Sequence, residues 1–107
     1  EKLDFSYVKD VAKGFVLVSI HEDAIDETFN ITYGNARTLL DFVMVLKKHF
    51  PWLEYEIKDR DTFRPQRGTL SIEKAKSLLG YRPDYDLEKG VDEYVQFIKD
   101  NNPNLFL

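Results

Sequence analysis

Between residues 8 and 20, Val8, Val11, Ala12, Phe15 and Val18 recur at three- and four-residue steps, with Lys9, Asp10 and Lys13 on the other side. That period predicts an amphipathic helix whose apolar stripe faces a core or a docking partner. Ahead of it, Phe5-Ser6-Tyr7 alternates apolar and small polar residues and reads as a short strand leading into the helix. His21-Glu22-Asp23 reads as the helix end or a loop. Thr28-Phe29-Asn30-Ile31-Thr32 is β-branched and aromatic with period two, and the turn signal Gly34-Asn35 follows, so a second strand is expected there.

A second helix is expected over 37–50, with Leu39, Phe42, Val43, Leu46 and Phe50 on one stripe, Thr38 or Asn35 as its cap, and Pro51 just past its end. Leu53-Glu54-Tyr55-Glu56-Ile57-Lys58 alternates without a break and is the clearest strand pattern in the chain. Residues 59–69 are charged, with Pro65 and Gly68 as breakers, and read as a loop. A short helix follows, with Ser71 as cap, Ile72, Ala75, Leu78 and Leu79 as its stripe and Gly80 as its stop. A last helix over 87–100 has Asp86 as cap and Leu87, Val91, Tyr94, Val95 and Ile98 as its stripe. About four helices and three short strands without a βαβ rhythm give an α+β class, a small α/β lobe. There is no internal repeat, and residues 1–107 read as a single domain.

Composition narrows the function more than the fold. The chain has 107 residues, a formal charge of −4 and no cysteine. Disulfides, thiolate metal sites and cysteine nucleophiles are thereby excluded. The acidic balance argues against nonspecific nucleic-acid binding, which needs a positive face to neutralise phosphates. No apolar run approaches a membrane span and no signal-like segment opens the chain, so a soluble, cytoplasmic protein is expected. The chain begins at Glu1 rather than at a methionine, as a processed or excised piece would.

Catalytic and metal chemistry are poorly supplied. His21 and His49 are far apart in sequence, and neither has a second ligand at helical spacing, so no metal site is expected and His21-Glu22-Asp23 reads as a solvated cluster. Ser6, Ser19, Ser71 and Ser77 lack a histidine partner or a nucleophile elbow. Glycines 14, 34, 68, 80 and 90 form neither a dinucleotide fingerprint nor a P-loop, so no cofactor is expected in this chain. Asn30-Ile31-Thr32 fits the glycosylation pattern but reads as part of a strand.

The unusual feature is arginine. Four of five, Arg60, Arg64, Arg67 and Arg82, lie between 60 and 82. The guanidinium fork suits phosphate and carboxylate. From composition alone the cluster reads as a solvated loop in which Asp59 and Asp61 pair with the arginines. In an extended strand Arg64 and Arg67 would face opposite sides about 10 Å apart. They converge on one diphosphate only if the chain bends, for which Pro65 and Gly68 provide the means.

Phe5-Ser6-Tyr7-Val8-Lys9-Asp10-Val11-Ala12 resembles the F-x-Y-V-x-D-V-A segment of the extended short-chain dehydrogenase/reductase family, the NAD-dependent epimerases and dehydratases that act on nucleotide sugars. Thr28-Phe29-Asn30-Ile31-Thr32, Gly34 and Leu39-Leu40-Asp41 resemble that family's F-N-I-G-x-G strand and the helix after it. The run from Arg67-Gly68-Thr69-Leu70-Ser71-Ile72 through Leu78-Leu79-Gly80-Tyr81-Arg82-Pro83 to Gly90-Val91 resembles its tail motif. Three pieces in the family's order cover about residues 4 to 99. The chain departs from the pattern at Gln66-Arg67, where many members have Gly-Asp, at Ser71, where aspartate is usual, and at Leu3, where some carry a further arginine.

The resemblance implies the C-terminal, substrate-binding lobe of an extended Rossmann-type enzyme, with the NAD-binding Rossmann domain and the Tyr-x-x-x-Lys catalytic pair absent from this chain. Tyr7 and Lys9 do not have that spacing. It implies no catalytic residue here, no activity without the N-terminal domain, and NAD as the cofactor of the full-length parent. The expected ligand is a nucleotide-sugar diphosphate gripped by Arg67, with Arg64 as the competing match. Tyr7 and Phe5, just before the first helix, are placed either to line the cleft or to pack in the core. A lobe without its Rossmann neighbour is expected to self-associate through an exposed apolar face. An autonomous protein-interaction module is the alternative, and should be a clean monomer.

Overall fold

The structure, a computed structural model, describes residues 2–106. A two-residue strand β1 (Lys2–Leu3) leads to helix α1 (Val8–Ile20) and a turn of 3-10 helix (Glu22–Ala24). Strand β2 (Arg37–Thr38) runs directly into helix α2 (Leu39–His49), and α3 (Glu73–Leu79) and α4 (Leu87–Asn101) follow, with a closing 3-10 turn (Pro103–Phe106). β1 and β2 pair antiparallel, Lys2 with Thr38 and Leu3 with Arg37.

The helix ends are set by local chemistry. Thr38 and Asp41 form a reciprocal capping box at the start of α2. The Asp86 carboxylate accepts from Lys89 N at 2.8 Å at the start of α4. Gly80 closes α3 in the left-handed region, φ 68°, its N–H and that of Tyr81 returning to the last carbonyls. Ser71 acts one residue early: Ile72 is the boundary residue, and the Ser71 hydroxyl accepts from Glu73 N at 3.3 Å.

Two expected features are corrected. The sheet has two strands among the described residues, not three, and neither lies where alternation predicts one. Residues 5–7, 28–32 and 53–58 are irregular. At 28–32 the alternation itself survives, Phe29 and Ile31 half-buried and Thr28 and Asn30 exposed, but no neighbouring strand completes a ladder. At 53–58 both Tyr55 and Ile57 are exposed.

The second correction concerns α1. Asp10, expected outside, is buried together with Gly14, while Val8, Phe15, Val16 and Ile20 face out. Asp10 turns inward because it has partners there: its carboxylate accepts from Asp84 N at 2.8 Å and Tyr85 N at 2.9 Å, and so ties α1 to the α3–α4 connection. Gly14 turns inward because Ile31 fills the space where a Cβ would stand.

The main core joins Ala24, Ile72, Ala75, Leu79 and Tyr81, with Leu17, Val18, Phe29, Ile31 and Leu78 packed against it. Tyr81 is fully buried, its hydroxyl donating to Thr32 O at 2.9 Å. Burial, reinforced by the charge of Asp10, pushes that hydroxyl's pKa up to about 12. A second layer packs α2 on α4. There Arg37 makes a bidentate bridge to Glu88 at 2.8 and 3.0 Å and reaches Asp41 at 3.3 Å. The molecule is flat, 49 × 40 × 18 Å, with a radius of gyration of 16.7 Å, against about 13 Å for a compact domain of this length. Its surface is 7941 Å², where about 6,200 Å² is usual for this mass.

Candidate functional site

The arginine loop leaves the α2 side of the molecule after residue 58 and returns at α3. Its first half is organised by Asp61, whose carboxylate accepts from Arg64 N at 3.0 Å and from Arg64 Nε at 2.6 Å. The Arg64 backbone N–H above all, and then its guanidinium, hold the Asp61 carboxyl below its ordinary range. Arg60 bridges the same turn, donating to Asp61 O at 3.0 Å and Arg64 O at 2.5 Å. Arg60 and Arg64 thus shape the loop itself. Arg67 is exposed and forms no hydrogen bond or ion pair with any described residue.

Just beyond Arg67 the chain is fastened to the body. Ala36 N donates to Thr69 Oγ1 at 2.8 Å, Leu70 N donates to Asp4 Oδ2 at 3.1 Å, and Asn30 Nδ2 donates to Ser71 O at 3.1 Å. Asp4 also accepts from Gly34 N, at 3.0 and 3.3 Å. Gly34 has φ 89°, a conformation that favours glycine, and a Cβ there would stand 2.9 Å from Ile72 Cδ1, so the Ile72 side chain would have to shift as well. Arg67 therefore sits on a short tether from a fixed stem, and its charge is unspent. That arrangement suits capture of an anion.

Tyr7 lies elsewhere. It stacks on Tyr85, ring centroids 4.7 Å apart, and lines an apolar groove of about 380 Å³ with Phe5, Phe42, Tyr85 and Tyr94. Burial first, and then the charge of Glu93, push the Tyr7 hydroxyl up in pKa. A hydrogen bond to Glu93 does the same for Tyr85, while Glu93 also pairs with Lys9. None of the loop arginines lines this groove. Arg82 borders a separate polar cleft with Tyr33, Asn35, Lys76 and Asp84. The structure thus brings Arg60 and Arg64 together, and leaves Arg67 and Tyr7 as parts of two different surfaces.

Among the described residues no group of three or more His, Asp and Glu is arranged to hold a metal. His21 Nδ1 instead accepts from Asp23 N at 3.2 Å. No helix among the described residues is long and apolar enough to cross a membrane. The glycines provide no cradle for a dinucleotide: Gly14 packs on Ile31, Gly90 on Tyr7, Gly34 makes a turn and Gly80 ends a helix. What sequence reasoning missed is the pair of aspartates that hold the segments together, Asp4 and Asp10. Their signal in sequence was weak, because their partners lie 30 to 75 positions away.

No family model matches the chain. It is 32% identical over 99 residues to UDP-glucuronic acid decarboxylase 1 of Danio rerio, covering 87% of this chain and 22% of that protein. It is 31% identical over 104 residues to a putative UDP-glucose 4-epimerase of Methanocaldococcus jannaschii, covering 92% of this chain and 32% of the relative. In structure it superposes with a TM-score of 0.70 and 25% identity on the Bordetella bronchiseptica enzyme WbmF, solved with NAD+ and UDP, over 94% of this chain and 30% of the enzyme. Its homologues are therefore nucleotide-sugar decarboxylases and epimerases, and its structural neighbour is an NAD-dependent epimerase/dehydratase. The portion of the family that it matches is the C-terminal one. It spans between about a fifth and a third of the length of these relatives.

Proposed function

We propose that this chain is the nucleotide-sugar-binding portion of an NAD-dependent sugar epimerase or dehydratase, with Arg67 as the residue that grips the diphosphate. The observation that carries the reading is the unpartnered Arg67 on a loop fastened immediately after it, in a homologue of enzymes one of which was solved with UDP. A guanidinium held near a fixed stem supplies charge-assisted, bidentate hydrogen bonds to phosphate oxygens. In the full-length parent NAD carries the redox chemistry, and this lobe contributes position, holding the diphosphate so that the sugar is presented to the cofactor.

Arg64 supports Arg67 through the turn that it makes with Asp61. Tyr7 serves the apolar groove rather than the phosphates, and that groove opens toward Val8 on the outward face of α1. The outward stripe of Val8, Phe15, Val16 and Ile20 is the surface on which the NAD-binding Rossmann domain of the parent rests. On this reading the chain has no activity alone. Titration with UDP in a calorimeter at low salt is expected to give weak, salt-sensitive binding, reduced about tenfold or more in Arg67→Ala, as loss of a hydrogen-bonded charge implies. An isotherm unchanged by the substitution removes Arg67 from the site.

A second reading, an interaction module without catalysis, draws on the same outward apolar face. Sedimentation separates the two. A lobe lacking its neighbour self-associates, whereas a module evolved to stand alone sediments as a monomer.

A further inference from the structure

We infer that Asp4 is the positioning residue of the arginine loop, setting where Arg67 stands relative to the rest of the lobe. The inference rests on the nucleotide-binding reading of Arg67 and adds the device that fixes it. One carboxylate bridges two segments that are distant in sequence. Its Oδ2 accepts from Leu70 N at 3.1 Å, its Oδ1 accepts from Gly34 N at 3.0 Å, and Oδ2 lies 3.3 Å from the same Gly34 N. Thr69 adds a bond in the opposite sense, its hydroxyl accepting from Ala36 N at 2.8 Å. The loop stem is thus latched against the 34–36 turn at two consecutive residues.

The latch has few substitutes. Residues 59–70 contain no helix or strand, and nearly all of them are exposed, so no apolar packing fixes their place. Asp4 is held in its turn by β1, whose pairing with β2 brings the residue beside the turn that leads into β2. The carboxylate uses its acceptors on backbone N–H groups, which are present whatever the side chains, so the latch sets backbone position. With Leu70 fixed, Arg67 is three residues from the anchor and its reach is bounded. Without it, the stem is left with the single Thr69–Ala36 bond before Ser71, and upstream the nearest restraint is the Asp61–Arg64 turn, which moves with the loop.

Two measurements on the intact chain test this. The first is amide hydrogen exchange at Leu70 and Gly34. Asp4→Ala is expected to speed exchange at both by about tenfold or more, and Asp4→Asn, which keeps one carbonyl acceptor, to restore most of the protection at Leu70. Exchange unaltered in Asp4→Ala overturns the latch, whatever the chain binds. The second is UDP affinity in a cycle with Arg67→Ala. Asp4→Ala is expected to weaken UDP binding by roughly tenfold when Arg67 is present and to cost nothing further when Arg67 is absent. An equal loss in both backgrounds overturns the positioning role, since Asp4 would then act independently of Arg67. If the intact chain binds no UDP, the nucleotide reading fails and the positioning of Arg67 for it falls too, while the exchange result still decides whether the latch exists.

Discussion

Helix α4 turns Leu87, Gly90 and Val95 into the protein, whereas α1 turns Asp10 and Gly14 inward and leaves Val8, Phe15, Val16 and Ile20 at the surface. Both carry apolar residues at helical period, yet α4 buries Leu87 and Val95 in the layer shared with α2, whereas α1 lends only the half-buried Leu17 and Val18 to the main core and leaves its largest apolar groups outside. Phe15 and Ile20 are 70% and 73% exposed, values usual for lysines rather than for large apolar groups. The inward face of α1 is a joint, made of a carboxylate that accepts two backbone N–H groups and a glycine that admits Ile31. A hydrophobic stripe marks a face that avoids water, without saying what covers it.

The contrast breaks most severely at the joint. Asp10→Ala leaves the N–H groups of Asp84 and Tyr85 unpaired in a part-buried site, and is expected to cost about 3 kcal/mol in denaturant unfolding, with Asp10→Asn costing less. A loss under about 0.5 kcal/mol, the size of an ordinary surface change, shows that the joint does not depend on Asp10. Gly14→Ala drives a methyl group into Ile31 and is expected to cost about 1–2 kcal/mol net of the gain in helix propensity. A stabilised variant means that Ile31 yields easily. Phe15→Ser on the outer face is expected to change stability by less than about 0.5 kcal/mol, while reducing self-association and binding of a hydrophobic dye. A collapse in stability instead reassigns that face to the core.

The smallest effect is the response to acid. The Arg37 guanidinium beside Glu88 holds its carboxyl below the ordinary 4.5, and hydrogen bonds from Thr38 to Asp41 and from Lys13 to Asp84 lower those carboxyls from 3.8. Groups whose folded pKa is depressed bind protons more readily in the unfolded chain. Their stabilisation is therefore complete above the ordinary carboxylate values and is lost as pH falls through the lowered ones. Exposure to solvent keeps each contribution small. Arg37→Met is expected to flatten the fall in melting temperature below about pH 4.5, and an unaltered slope removes the Glu88 pair from the account.

The helices were legible because their hydrogen bonds and caps are local: Thr38, Asp86 and Gly80 stand within four residues of the groups they satisfy. The strand patterns at 28–32 and 53–58 were equally clear and misled, because a strand needs a neighbour to bond with and none is supplied among the described residues. Arg64 and Arg67 could be found by counting arginines. Which of them is tied into the loop could not, because that depends on whether Asp61 folds back on its own turn. Asp4 was invisible for a different reason. A residue at the edge of a two-residue strand has no periodicity to betray it, and its bonds are fixed only once residues 34 and 70 meet.

The 18 Å thickness sets how the protein meets denaturant. With 7941 Å² already wetted in the native state, unfolding uncovers about one-seventh less new surface than in a compact domain of the same mass. The m-value scales with that newly uncovered surface. Urea unfolding is therefore shallower than the chain length implies, with folded and unfolded molecules coexisting over a broader range of urea concentration.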